Sequence, residues 1–379
     1  MAGADRAAVR GGPPSGRSSA RKSPVQGESD VPKTQPPAGT DRNAADLPVP
    51  SLSDTTVAGL VAQWRERLLA VDATGTPDQQ AAHQAFIDIF VRGGDEALRA
   101  SIRRGRWVQL SLAPAGAAFD PALFSRLKRL TATLLSDDEI ENFFFMFKQP
   151  GLRLRFEASR TAPELTRRIE SEIAQWCGDG LTSRGSFGVY EPEAELFGGP
   201  RSMRHVEAIF TLDSLVWLEF HGQGEGRRAS GTNAWPVSFA LLRALYDGLG
   251  IVGWEDLGVF AHIRDRLGRR LPAVTAGQLE RTALESDVVA LWEEAAGSAD
   301  RPAPSPAPGS ALANRREAIR SAARQWKTGY FDTPDAWIGP RQAAAYATIF
   351  HWNRANLSAP QQALIAEALA GRRATEDTR

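Results

Sequence analysis

The chain has a single cysteine, Cys177, among 379 residues. That excludes an internal disulfide and a cysteine-built metal cluster. Cys177 follows Trp176 near an expected helix end, so it reads as a core thiol rather than a nucleophile. Such sparing use of cysteine fits a reducing cytoplasm, which is the expected location. Net charge is also missing: 45 Lys and Arg balance 45 Asp and Glu. No global field draws in nucleic acid or an anionic membrane. No apolar run reaches the ~18 residues that suggest a membrane span. The opening stretch, MAGADRAAVRGGPPSGRSSARKS, has no hydrophobic segment, so no secretory signal is expected. The sequence lacks a Gly-x-Gly-x-x-Gly leading into a helix, a phosphate-binding loop, His-Glu-x-x-His and Gly-x-Ser-x-Gly. The five histidines, His83, His205, His221, His262 and His351, are not at metal-ligand spacing. No metal and no bound cofactor are expected.

What is present is enough apolar material, 42% of the chain, for a sizeable core. Residues 1 to about 50 are rich in Gly, Pro, Ser, Arg and Asp, and read as a disordered tail. Residues 51–105 read as a small helical preface of three helices: one from Ser53, one over Pro77–Val91 and a short one over Asp95–Arg103. A core domain is expected over 106–370, with a Pro/Ala-rich loop at about 298–309.

Within that core, Val108, Leu110 and Leu112 alternate with polar neighbours, as in a strand. Asp120 and Pro121 have the chemistry of a helix N-cap and first turn. Phe143 to Phe147 is continuously apolar, as in a strand covered on both faces. Gln149, Pro150 and Gly151 signal a turn. The helix carrying Leu165, Ile169, Ile173 and Trp176 follows, and Ser186 to Tyr190 reads as a last short strand. The order strand, helix, strand, strand, helix, strand predicts an α+β fold. Its core is a ferredoxin-like βαββαβ antiparallel sheet, and the C-terminal part is mostly helical. A helix from Met203 is expected to lead to Asp213-Ser214, read as a cap of the next helix.

The stretch Leu152–Phe156 carries the chemistry. Leu152, Leu154 and Phe156 alternate with Arg153 and Arg155. Both guanidiniums then share one strand face, roughly 6.6 Å apart. Two fixed forks on one face suit the carboxylates of an acidic substrate, and equally suit a solvated, salt-bridged outer face. From the residues alone, both readings stand.

Three segments together resemble a known family. They are PGLRLRF (Pro150–Phe156), YEPEAELFGG (Tyr190–Gly199) with MRHVEAIFTLDS (Met203–Ser214), and FHWNR (Phe350–Arg354). The resemblance, over roughly Trp107 to Ala370, is to the C-terminal domain of class I lanthipeptide dehydratases. In stand-alone form this is the thiopeptide-type bacteriocin biosynthesis domain. It implies a tailoring enzyme acting on a precursor peptide. A glutamyl-tRNA-dependent partner subunit esterifies Ser and Thr, and this domain eliminates glutamate to leave dehydroamino acids. No direct contact with nucleic acid and none with a membrane is implied.

By the same resemblance, Arg153 and Arg155 would hold glutamate, and His351 would be the general acid/base. Tyr190, Glu193, Gly198, Gly199, Asn353 and Arg354 would serve substrate binding. Structural roles compete at several of these positions. Glu193 and Glu207 suit pairing with Arg204 or Arg354, and Asn353 and Arg354 suit pinning the C-terminal helix. One departure matters. The family commonly shows a YEREIERYGG-like pattern, and this chain has Pro192 and Leu196 where the arginines fall. That supports an alternative, a pyridine-forming cyclase that joins two dehydroalanines. A third reading, from a different class, is a non-catalytic subunit whose helical preface and domain hold the precursor's leader at a sheet edge.

Overall fold

The computed structural model describes residues 54–70, 75–148, 151–223, 234–272, 278–297 and 311–372. The expected tail, the turn residues Gln149 and Pro150, and the Pro/Ala-rich loop lie outside the described residues.

The preface holds two helices where three were expected, α1 (Asp54–Ala70) and α2 (Pro77–Arg104). The second and third are one. Gly93 and Gly94 weaken a helix by about 1 kcal/mol each relative to Ala, but neither takes a positive φ. The capping box of Thr76 and Gln79 and the absence of an interior proline carry α2 through them.

The core then runs β1 (Trp107–Pro114), α3 (Pro121–Ser136), β2 (Ile140–Lys148), β3 (Gly151–Ala158), α4 (Ala162–Gly178) and β4 (Thr182–Gly188). As expected, Asp120 caps α3, accepting from the Ala122 backbone at 2.7 Å. The strands form one antiparallel sheet in the order β2-β3-β1-β4. The last strand begins four residues before its expected start. It is an exposed, polar edge with no apolar alternation to mark it, and Tyr190 lies beyond its end.

The register assigns the two faces. Leu110 pairs with Leu154 and Phe145 with Leu154, so these side chains share a face. Phe124 of α3 packs on Phe145 and Phe147 there, and Ile173 of α4 lies against Gly185 on the same side. Gln109 pairs with Arg155 and Phe144 with Arg155, which puts these on the opposite face with Arg153.

Beyond a 3₁₀ turn (Ala194–Phe197), the chain is helical: α5 (Pro200–Gly222), α6 (Ala234–Leu249), α7 (Glu255–Asp265), α8 (Gln278–Ala296), α9 (Ala311–Trp326), a π turn (Lys327–Phe331), α10 (Pro340–Arg354) and α11 (Ala359–Gly371). Helix α5 runs straight through Asp213-Ser214. Both are buried in mid-helix, so neither is a cap. The helix lies along the free edge of β2. Thr211 and Ser214 hydroxyls accept from the Phe143 and Phe145 backbone N–H groups at 3.1 and 3.3 Å. Two edge donors are thereby satisfied, which protects the sheet from pairing with another chain. Among the described residues, no helix is long and apolar enough to cross a membrane.

Candidate active site

Arg155 is not on a solvated face. It is 2% exposed, under a roof of rings. Its guanidinium lies 4.7 Å from the Tyr190 ring centre and 5.2 Å from that of Phe144. Trp107 packs on Tyr190 at 4.6 Å, and Phe210 on Phe144 at 5.3 Å. The Arg155 Nε donates to Gln109 Oε1 at 2.9 Å, and its Nη2 is 3.6 Å from Glu193 Oε1. Burial pulls the Arg155 pKa down, while Glu193 and Tyr190 oppose that. Among the described residues, its Nη1 is buried without a hydrogen-bond partner. So is the Nε of Arg153, two residues away on the same face, and so is Glu193 Oε2. Leaving such groups unpaired is costly, and each asks for a ligand group.

Behind Tyr190 is a second polar cluster. Tyr190 Oη donates to Glu207 Oε1 at 3.5 Å, and Arg103 from α2 reaches Glu207 at 2.7 Å. Arg103 also grips both oxygens of Glu157, at 2.9 Å each. Neither Glu193 nor Glu207 pairs with Arg204 or Arg354 as expected. Glu193 meets Arg155, and Glu207 meets the preface helix, because α2 docks where the sequence pattern shows no partner. Burial pushes the Glu207 carboxyl up to about 7, with Glu157 adding to it and Arg103 opposing. Burial and Glu207 raise the Tyr190 hydroxyl as well.

His351 sits elsewhere. It is 3% exposed, on α10. Its Nδ1 is 2.8 Å from Asp213 Oδ1, and its Nε2 is 2.8 Å from Ser238 Oγ. Arg354 Nε donates to the other Asp213 oxygen at 2.5 Å. Burial alone would raise the Asp213 carboxyl, but His351 and Arg354 outweigh it and hold it low. The hydroxyl–imidazole–carboxylate order has the geometry of an acyl-transfer triad. The void beside it, about 10 Å³, is close to the size of one water and admits no substrate. The Phe144–Phe210 pair separates this network from the arginine strand. Arg155 lies over Phe144, and Arg354 lies 4.2 Å from the centre of Phe210.

The remaining expected residues divide. Gly198 and Gly199 have φ of +95° and +93°. A Cβ on Gly198 would overlap the Tyr330 hydroxyl, so this glycine lets the backbone meet the π turn. Asn353 accepts from Gln362 of α11 at 3.2 Å, and so does help pin the C-terminal helix. It also lines a cleft on the other side of the sheet. The sequence reading missed Gln109, Ser238 and Tyr330 as contacts of these residues. Asp213 had one available signal, a lone acid amid the apolar run of a helix.

With this geometry in place, the comparisons define the class. The family model described as lantibiotic biosynthesis dehydratase C-term matches residues 107–374. The chain belongs to that family. Three solved structures are similar. The tRNA-dependent lantibiotic dehydratase MibB from Microbispora sp. 107891 is 18% identical with a TM-score of 0.49, over 71% of this chain and 28% of that one. This chain thus spans little more than a quarter of the dehydratase. The pyridine synthase TbtD from thiomuracin biosynthesis is 17% identical, TM-score 0.45, over 70% of this chain and 96% of that one. TsrL is 16% identical, TM-score 0.43, over 69% and 93%. Among curated proteins, nothing matches.

Proposed function

We propose that this protein eliminates glutamate from glutamylated Ser and Thr residues of a precursor peptide, leaving dehydroalanine or dehydrobutyrine. One observation carries the reading: two guanidiniums on one strand face, each with a buried N–H that has no partner among the described residues. The pair suits the free carboxylate of the glutamyl group and the carboxylate released as the ester Cβ–O bond breaks. The incoming anion competes with Glu193 for Arg155. Loss of the Cα proton, formation of the Cα–Cβ double bond and departure of glutamate complete the step. His351, oriented by Asp213, is the acid/base in this reading. His351 is 3% exposed and lies behind the Phe144–Phe210 pair, so this role rests on the family resemblance and not on the geometry around the arginines. The partner that installs glutamate is a separate glutamyl-tRNA-dependent subunit. We also read the sheet core as ferredoxin-like, on its strand order and on the two crossover helices sharing one face.

A second reading has its own support. Pro192 and Leu196 replace two arginines of the family pattern, and Leu196 packs against the core instead of offering a cation. That favours a cyclase acting on dehydroalanines. Mass spectrometry separates the two. A precursor carrying glutamylated Ser, incubated with this protein alone, should lose glutamate, and Arg155→Ala should slow that by about 100-fold. An untouched adduct, with cyclisation of a peptide already bearing dehydroalanines, would install the cyclase instead. No change in either substrate would favour a binding subunit.

A further inference from the structure

The face of the sheet opposite the arginines ends in an open cleft of about 480 Å³, within the range of small-ligand sites. Phe119, Phe124 and Phe147 make one wall, with Phe124 5.9 Å from Phe147 and 6.3 Å from Phe119. The junction of α10 and α11 makes the other, with Asn353, Asn356 and Leu357. Lys148 stands at the rim and forms no ion pair among the described residues. Among the described residues, no carboxylate lines the space.

The chemistry of these walls is selective. Rings accept a large apolar side chain. Asn353 and Asn356 both line the space, and the Asn353 Nδ2 and the whole Asn356 carboxamide make no hydrogen bond among the described residues, which leaves donors on both and an acceptor on Asn356 for a ligand. Paired carboxamides of this kind match the N–H and C=O of a peptide backbone. Asn356 holds φ +58°, a left-handed conformation at the helix end that favours Gly or Asn. With an uncompensated ammonium and no acid, the cleft disfavours a basic ligand.

We propose that this cleft is a peptide-binding subsite. It takes an extended segment with a large apolar side chain and no positive charge, and it lies across the sheet from the arginine strand. The proposal rests on the reading that the chain works on a peptide, not on which reaction it performs.

The test is calorimetric titration of the full-length protein with acetyl-Gly-Phe-Gly-Ser-amide, a probe with no carboxylate for the arginines. Two variants report on the cleft. Ala117→Trp fills it from an exposed rim position, and Asn356→Gly removes the carboxamide while keeping the positive φ. Each should raise Kd about tenfold. A probe with Lys in place of Ser should bind more weakly than the parent, and Arg155→Ala should leave parent binding unchanged. Absence of binding overturns the proposal. So does equal affinity for Ala117→Trp, or a loss on Arg155→Ala as large as that on Ala117→Trp. If the probe binds as expected while the glutamyl adduct stays untouched, the elimination reading falls and the subsite stands.

Discussion

The two faces of the sheet are built on opposite plans. One is closed: Arg155 is 2% exposed beneath Tyr190 and Phe144, Phe210 packs on Phe144, and the charges behind them are paired helix to helix. The other is open at its end, walled by phenylalanines and by carboxamides with unused donors. On the proposed readings, the difference separates chemistry from recognition within one chain. Charges worth shielding from water are sunk under rings, where each interaction is stronger. On the same readings, peptide-like groups would be met at a surface that any length of chain can enter.

The sharpest way to break this contrast is to unpair the closed side. Asp213→Ala leaves His351 and Arg354 buried without their carboxylate. A loss of about 3–5 kcal/mol in denaturant unfolding is expected. A loss under 1 kcal/mol (about the worth of a surface pair) would show that rings, not charges, hold this side closed.

Glu207 tests the same side through pH. Burial raises its carboxyl from 4.5 to about 7. Between those values the folded state keeps a proton that the unfolded state has lost, so its contribution to stability falls as pH rises through that window. Glu207→Gln should flatten this decline, which is on the order of 3 kcal/mol across the window. An unchanged slope from pH 4.5 to 7 would mean that Arg103 keeps Glu207 ionised throughout.

A smaller effect is expected where the closed side meets the π turn. Gly198→Ala places a Cβ against Tyr330 at φ +95°, for about 1–2 kcal/mol in thermal unfolding. An unshifted midpoint would mean that Tyr330 yields freely and does not brace the Tyr190–Gly199 segment.

These tests fall on the features least legible in the sequence. The alternation of Leu152–Phe156 and the apolar run at Phe143–Phe147 announce their strands, because burial of one face or both leaves a period in the residues. The α3 cap is equally local. By contrast, β4 is a polar edge and carries no such period, so the residues alone place its start too late. The contact of Asp213 with His351 joins residues 138 positions apart, and no local pattern encodes it. Arg103 reads as one more basic residue in a helical preface until α2 docks it on Glu157 and Glu207. The cleft is least visible of all, since loops and helix ends from five parts of the chain converge to make it.

The open side should respond in the opposite manner. Ala117 is exposed at the cleft rim, so Ala117→Trp meets no packed neighbour there and should change folding stability by less than about 0.5 kcal/mol. The unfolding midpoint of the variant checks this directly. A stable variant makes any loss of probe binding a statement about the cleft itself. A shift beyond 1 kcal/mol, more than a free surface position normally allows, would instead show the rim packed more tightly than its exposure implies. The two faces would then differ in what they bury, but not in how firmly they are built.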